Sequence, residues 1–190
     1  MTLTDTNVQI PGYVEGSWTI DPAHSNVEFS VRHMMVSKVR GHFSRFSGSV
    51  VTAPDPLASS VTAEVDLTSI DTGNEQRDGH VRSADFFDAE ENRTMTYRST
   101  GVRRDGDDFV LDGELTLKGV TRAVPLRLEL NGFGPDAWGG TRAGFSATGE
   151  INRRDFGVNW NAAVEGGGVV VADKVSIQLE IEAVLDTPEA

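Results

Sequence analysis

The chain has 190 residues, 38% hydrophobic and 24% charged, a soluble globular balance with length enough for one domain and a real core. Seventeen basic against 29 acidic side chains leave a formal charge of −12. That argues against a nucleic-acid backbone or an anionic membrane surface as the main partner, since both are bound through excess Lys and Arg. Without cysteine there are no disulfides, thiolate metal sites or cysteine nucleophiles.

The first residues, Met1 to Asn7, carry neither a basic n-region nor an apolar run, and no stretch reaches the ~20 apolar residues that span a bilayer. The expectation is no leader, no transmembrane segment and a cytoplasmic location. Residues 1–16, polar and interrupted by Pro11-Gly12, read as a flexible arm ahead of a single domain at 17–186, with 187–190 as a tail. Gly16 to Ile20 begins a first strand, broken by Asp21-Pro22. From Asn26 to His33, Val27, Phe29 and Val31 share one face, opposite Glu28, Ser30 and Arg32. His42 to Val51 is strand-like but irregular, which places a bulge near Gly41 or Gly48. Val61, Ala63, Val65 and Leu67 alternate with polar residues. The period then changes, and Asn74 to Ser83 fits a short helix capped by Thr72 or Asn74. Phe86 and Phe87 follow, one of them expected to fold inward as a plug.

Thr94 to Val102 reads as a strand, and Asp105-Gly106-Asp107-Asp108 as a hairpin turn. Phe109, Leu111, Gly113, Leu115 and Leu117 are in phase, as are Val124, Leu126, Leu128 and Leu130. Gly132 to Gly140 reads as a loop, Ala143 to Ile151 as a strand, and 153–168 as irregular. Val175, Ile177, Leu179, Ile181 and Ala183 then alternate without error against Lys174, Ser176, Gln178, Glu180 and Glu182. About eight strands and one short helix, with no βαβ alternation, make the fold mainly antiparallel β, a sandwich or an up-and-down barrel. Eight strands close naturally into a barrel that holds side chains or one small ligand. Small inward residues (Ala63, Gly113, Ala143, Ala147, Gly149) are expected to leave volume inside it.

Chemistry is sparse. His24, His33 and His42 recur every nine residues, an odd step that changes face along a strand, so no metal site is expected. His33 continues the dry phase of Val27, Phe29 and Val31, and suits a polar contact at a cavity mouth. Arg77, Asp78, His80 and Arg82 cluster on the helix, either as a solvated face with local ion pairs or as a lid with polar contacts over the barrel entrance. The turn around Lys118 offers cations for a phosphate or carboxylate. No nucleophile elbow, phosphate loop, HExxH or dinucleotide fingerprint is present, and no catalytic residue is expected.

Six blocks occur together in order. They are Trp18-Thr19-Ile20-Asp21-Pro22-Ala23-His24-Ser25 with Val27 to His33 and Gly41-His42-Phe43; Ser69 to Asn74; Arg77 to Val81; Asp85-Phe86-Phe87-Asp88; Gly113 to Arg122; and Asn152 to Gly157. In these the chain resembles the YceI family of lipocalin-like bacterial proteins, over nearly the whole domain. The resemblance implies an eight-stranded antiparallel up-and-down barrel with an apolar internal cavity. It also implies a non-covalent polyisoprenoid, isoprenoid quinone or fatty-acid ligand, carried or sequestered rather than transformed, and often a homodimer. On this chain the tunnel candidates are Val27, Phe29, Val31, Val65, Phe86, Leu115, Phe145 and Leu179. His33, Arg77, Asp78 and Lys118 are candidates for the polar end. Position 81 is Val where the family usually has Leu, and many members carry a leader, which is not expected for this chain. Two other readings stay open: an enzyme using His33 with Asp78 or Arg77 at the mouth, and a ligand-free interaction module with a filled core.

Overall fold

The alternating segments become one antiparallel sheet in the computed structural model, which describes residues 8–188. Its strands are β1 (Gly16–Ile20), β2 (Asn26–His33), β3 (Ser37–Phe43), β4 (Phe46–Thr52), β5 (Ser60–Asp66), β6 (Ile70–Asp71), β7 (Thr94–Asp105), β8 (Asp108–Leu117), β9 (Val120–Ala123), β10 (Leu126–Pro135), β11 (Thr141–Asn152) and β12 (Val171–Leu185). Four pairs of these are single long strands with a local break: β1 with β2, β3 with β4, β5 with β6, and β9 with β10. Together with β7, β8, β11 and β12 they make eight staves, each antiparallel to the one before it. β12 closes the ring by pairing with β1 (Trp18 opposite Leu185, Ile20 opposite Ala183) and then runs on along β2 (Leu179 opposite Val27, Val175 opposite Val31). The expected closed, eight-stranded up-and-down barrel is what forms.

Two of the four breaks show a chemical repair clearly. Between β1 and β2, Asp21 caps a short 3-10 turn (Pro22–His24) by accepting from the Ala23 amide at 3.0 Å. Ser25 Oγ then stands in for the lost ladder partner, donating to the Glu182 carbonyl (3.2 Å) and accepting from the Glu182 amide (3.0 Å). Between β5 and β6, Asp66 caps the turn at Leu67–Ser69 and pairs with Arg45 and Arg93.

Among the described residues no strand continues the ladder beyond β6. The helix α1 (Glu75–Arg82) fills that gap, starting at Asn74, whose side chain accepts from the Arg77 amide at 2.9 Å. Its Val81, with Phe86 and Phe87 behind it, packs onto the main core around Phe43, Leu67, Leu115 and Phe156. Among the described residues no helix is long and apolar enough to cross a membrane.

Two expectations need correction. Gly132 to Pro135 is strand, because β10 absorbs the glycine as a bulge between Leu130 and Gly132, where φ reaches 138°. Only 136–140 turn, closed by Asp136 accepting from the Trp138 and Gly140 amides. The described part of the arm, from residue 8, is also not loose: Val8 is buried, and the Tyr13 hydroxyl donates to the Ala53 carbonyl at 2.7 Å. Residues 1–7 of that arm and 189–190 of the tail lie outside the described residues.

Candidate functional site

The dry faces of the staves converge on an internal cavity of about 330 Å³ that runs along the barrel axis. This is within the ordinary range for small-molecule pockets. All eight tunnel candidates lie on its wall: Val27, Phe29, Val31, Val65, Phe86, Leu115, Phe145 and Leu179. The unbroken alternation of β12 supplies Val175, Ile177, Leu179 and Ile181 to the same wall. Their neighbours Ser176, Gln178 and Glu180 take the other face.

The cavity exists for a different reason from the one the small residues suggest. A side chain at Gly113 would overlap the Tyr97 ring, and one at Gly149 would come within 2.6 Å of Leu126 Cδ2. These glycines seat large neighbours and leave no void. Ala143 is buried against Trp18 in a separate cluster. Only Ala63 and Ala147, on opposite walls of the ring, face the open space. Tyr97 is held by donating to the Val124 carbonyl at 2.9 Å; burial pushes its phenol well above the usual value, so it is a neutral donor.

The two ends differ. One is stoppered by aromatic rings: Trp18 is fully buried, its indole N–H donates to Thr52 Oγ1 at 2.8 Å, and Phe133 packs edge-on against Trp18, Tyr13 and Phe145 with centroids 5.4–6.3 Å apart. The other is covered by α1, Phe86, Phe87 and the segment after β11. There His80, Phe86 and Trp160 form an aromatic triangle with centroids 4.7–5.4 Å apart.

Arg153 lines the cavity at this second end, with only 4% of its surface exposed. Its guanidinium donates to the carbonyls of Ala172 (2.9 Å), Val158 (2.8 Å), Trp160 (2.8 Å) and Val171 (3.3 Å). The nearest carboxylate, Asp173, is 3.7 Å away and is held more closely by Arg154 at 2.7 Å. Burial lowers the Arg153 pKa from its usual value, yet arginine stays cationic in proteins. The side chain therefore latches the segment 158–172 across the barrel end and leaves a positive group in the wall. In sequence Arg153 belonged to the resemblance block Asn152 to Gly157, but nothing there marked it as a latch.

None of the four polar-end candidates lines the cavity. Asp78 is buried, and its carboxylate accepts from the Thr72 amide (3.0 Å) and hydroxyl (2.5 Å). Arg77 donates to the same Thr72 hydroxyl and carbonyl, both at 2.8 Å. These two residues pin α1 to the end of β6. His33 is at the hairpin end of β2, opposite the wall residue Val171, and is not itself part of the wall. Lys118 is in the β8–β9 turn with φ of 52°. Asp78 Oδ1 and Arg77 Nε and Nη2 are engaged with Thr72, and neither side chain lines the cavity at which the enzyme reading would place it.

The histidines form no common cluster. His24 pairs with Asp21 at 2.7 Å, and His42 lies 4.0 Å from Asp71. Asp21, His24 and Glu182 do approach one another closely, but Arg142 already bridges Asp21 (2.9 Å) and Glu182 (2.6 Å), so the group is an ion-pair network. The Arg142 hydrogen bond, then His24, holds the Asp21 carboxyl at about 2 against an ordinary 3.8. A depressed folded pKa stabilises above the unfolded value and is lost as pH falls through the window. We expect stability to drop between about pH 4 and about pH 2, and Arg142→Gln to flatten part of that drop in urea titrations; an identical pH profile in the variant would count against the network.

Residues 18–183 match the family model of the YceI-like domain. The chain belongs to the YceI-like family. It is 42% identical to Protein YceI of Escherichia coli O17:K52:H18 over 136 residues, 71% of each chain. Among solved structures, BcnA of Burkholderia cenocepacia superposes with a TM-score of 0.75 at 25% identity, covering 86% of this chain and 98% of that one. A polyisoprenoid binding domain from Saccharophagus degradans, implicated in plant cell wall breakdown, shares the fold with a TM-score of 0.63 at 16% identity, over 91% of this chain and all of that one. The blocks that carry the YceI resemblance map onto structural joints: Asp21 to Ser25 at the first break, Thr72 to Asp78 at the helix lock, and Arg153 at the latch.

Proposed function

We propose that this YceI-like protein binds the chain of a long amphiphile, of polyisoprenoid, isoprenoid-quinone or fatty-acyl type, inside the barrel. The observation that carries this reading is the cavity itself: a 330 Å³ tunnel whose wall is apolar almost throughout. A solved fold neighbour described as polyisoprenoid-binding agrees with it. Each buried CH₂ unit contributes ~0.8 kcal/mol, so about ten of them supply ~8 kcal/mol before the costs of ordering, with no polar contact. Recognition then follows tunnel length and width. At the head-group end, Arg153 favours a neutral or anionic group over a cationic one.

The test is organic extraction of protein purified without detergent, followed by mass spectrometry. We expect one dominant long-chain lipid near stoichiometric amounts, and displacement of a fluorescent fatty acid by that lipid. Repeated extraction of no lipid, together with no probe binding, would sink the reading. The ligand-free module would then be preferred.

A further inference from the structure

Four of the six large hydrophobic residues exposed among the described residues gather at one place. Met34, Met35 and Val36 form the tip of the β2–β3 hairpin, with Met35 59% and Val36 82% exposed, and Val169 lies alongside. The tip is tied to the segment that covers the tunnel end: the Met34 amide donates to the Val170 carbonyl at 2.8 Å. Behind it, Val31 and Val171 line the cavity. The apolar tip is therefore continuous with the covered end of the tunnel.

The turn is an unfavourable place for methionine. Met34 and Met35 have φ of 48° and 62°, the left-handed geometry of the two central residues of a tight turn closed by the Val36 amide donating to the His33 carbonyl at 3.2 Å, a geometry that Asn-Gly satisfies without strain. Bulky apolar side chains are thus held in water by a backbone that prefers other residues. The charges around them are also unusual for an acidic chain. From Phe29 to Pro54 there is no Asp or Glu, while Arg32, Lys38 and Arg40 are exposed and enter none of the ion pairs among the described residues. Arg32 stands directly opposite Lys38 in the ladder, a like-charge pair that weakens the hairpin. The adjoining segment from 157 to 170 carries one carboxylate, Glu165. The overall charge of −12 is a whole-chain sum, whereas screening over ~8–10 Å lets a surface sense only the local cations.

We propose that the β2–β3 hairpin is a docking element for an anionic lipid bilayer. Met34, Met35, Val36 and Val169 enter the interfacial layer, and Arg32, Lys38 and Arg40 face the lipid phosphates. Docking sets the covered end of the tunnel against the membrane; that lipid exchanges there rests on the binding reading above, but docking itself does not. The experiment is flotation with phosphatidylcholine vesicles and with vesicles containing phosphatidylglycerol, at low and high salt. Each cation is expected to add about fivefold to anionic-vesicle partitioning, so wild type should prefer those vesicles by about a hundredfold and lose the preference in high salt.

Two variants keep the test clear of misfolding. Met34→Asn with Met35→Gly installs the preferred turn, and Lys38→Glu turns the Arg32 repulsion into an ion pair. Both should fold at least as stably as wild type. The first should lose binding to both vesicle types at least tenfold, and the second should lose the anionic preference. Equal binding of wild type to both vesicles, undiminished binding by the Asn-Gly variant, or self-association through the tip without vesicle binding would each overturn the proposal. Lipid extraction reads the tunnel separately, so either idea can fail alone.

Discussion

The Ala147→Trp variant should fold as a barrel and lose the lipid binding proposed above. Ala147 is on β11 between Leu128 and Leu179 in register, and all three face the cavity. An indole there enters empty space, so the overpacking cost of ~1–3 kcal/mol that a filled core would impose should be small. Excluding four or five CH₂ units from the tunnel removes ~3–4 kcal/mol of ligand affinity, two to three decades. Ala63→Trp, on the opposite wall at β5, should act the same way. The measurements are thermal unfolding, co-purified lipid by mass spectrometry, and fluorescent fatty-acid titration. Full lipid occupancy in both folded variants would show that the ligand lies elsewhere.

The second large effect is expected at Arg153. Arg153→Met keeps the apolar stem and leaves the carbonyls of Val158, Trp160, Val171 and Ala172 without their shared donor. Buried acceptors left unpaired cost about 1–3 kcal/mol each, and because some regain water the total should be about 3–4 kcal/mol. For a chain of this size that lowers Tm by about 10 °C. If the segment detaches before the barrel unfolds, the same loss appears as faster amide exchange over 157–171 while β7 and β8 stay protected. Arg153→Lys should not rescue, because a single ammonium cannot span four carbonyls arranged around a planar guanidinium. Unchanged Tm and unchanged exchange in Arg153→Met would refute the latch.

How legible the molecule was depended on how local the deciding interaction is. β2 and β12 alternate apolar and polar residues with period two, and each placed its dry face on the tunnel as expected. The helix was announced by Asn74 and by the loss of β-branched residues, and both signals lie within one turn of chain. Seven of the eight wall residues lie on the dry phase of their strands, and the eighth, Phe86, is one of the aromatic pair expected to fold inward after the helix.

The polar end was not legible, because hydrogen-bond partners carry no phase. Asp78 and Arg77 look like lid contacts in sequence; the return of the chain at Thr72 consumes their polar atoms. The glycines misled for a related reason. Whether Gly113 leaves a void depends on where the Tyr97 ring falls on the neighbouring strand.

By itself, then, the sequence determined most strand faces and the short helix, since backbone periodicity and capping act over a few residues. The choice of a closed barrel over a sandwich came from the family resemblance and is made in the structure by the pairing of β12 with β1. Only the tertiary structure decided which end is stoppered by Trp18 and Phe133, that Arg153 holds the other end shut, and that an acidic chain gathers Met34, Met35, Arg32 and Lys38 beside it. Trp18 with Phe133, Arg153 with Val171 and Ala172, and the Met34 hairpin with Val170 are contacts between separate segments, and close approach across a closed sheet is what brings them together.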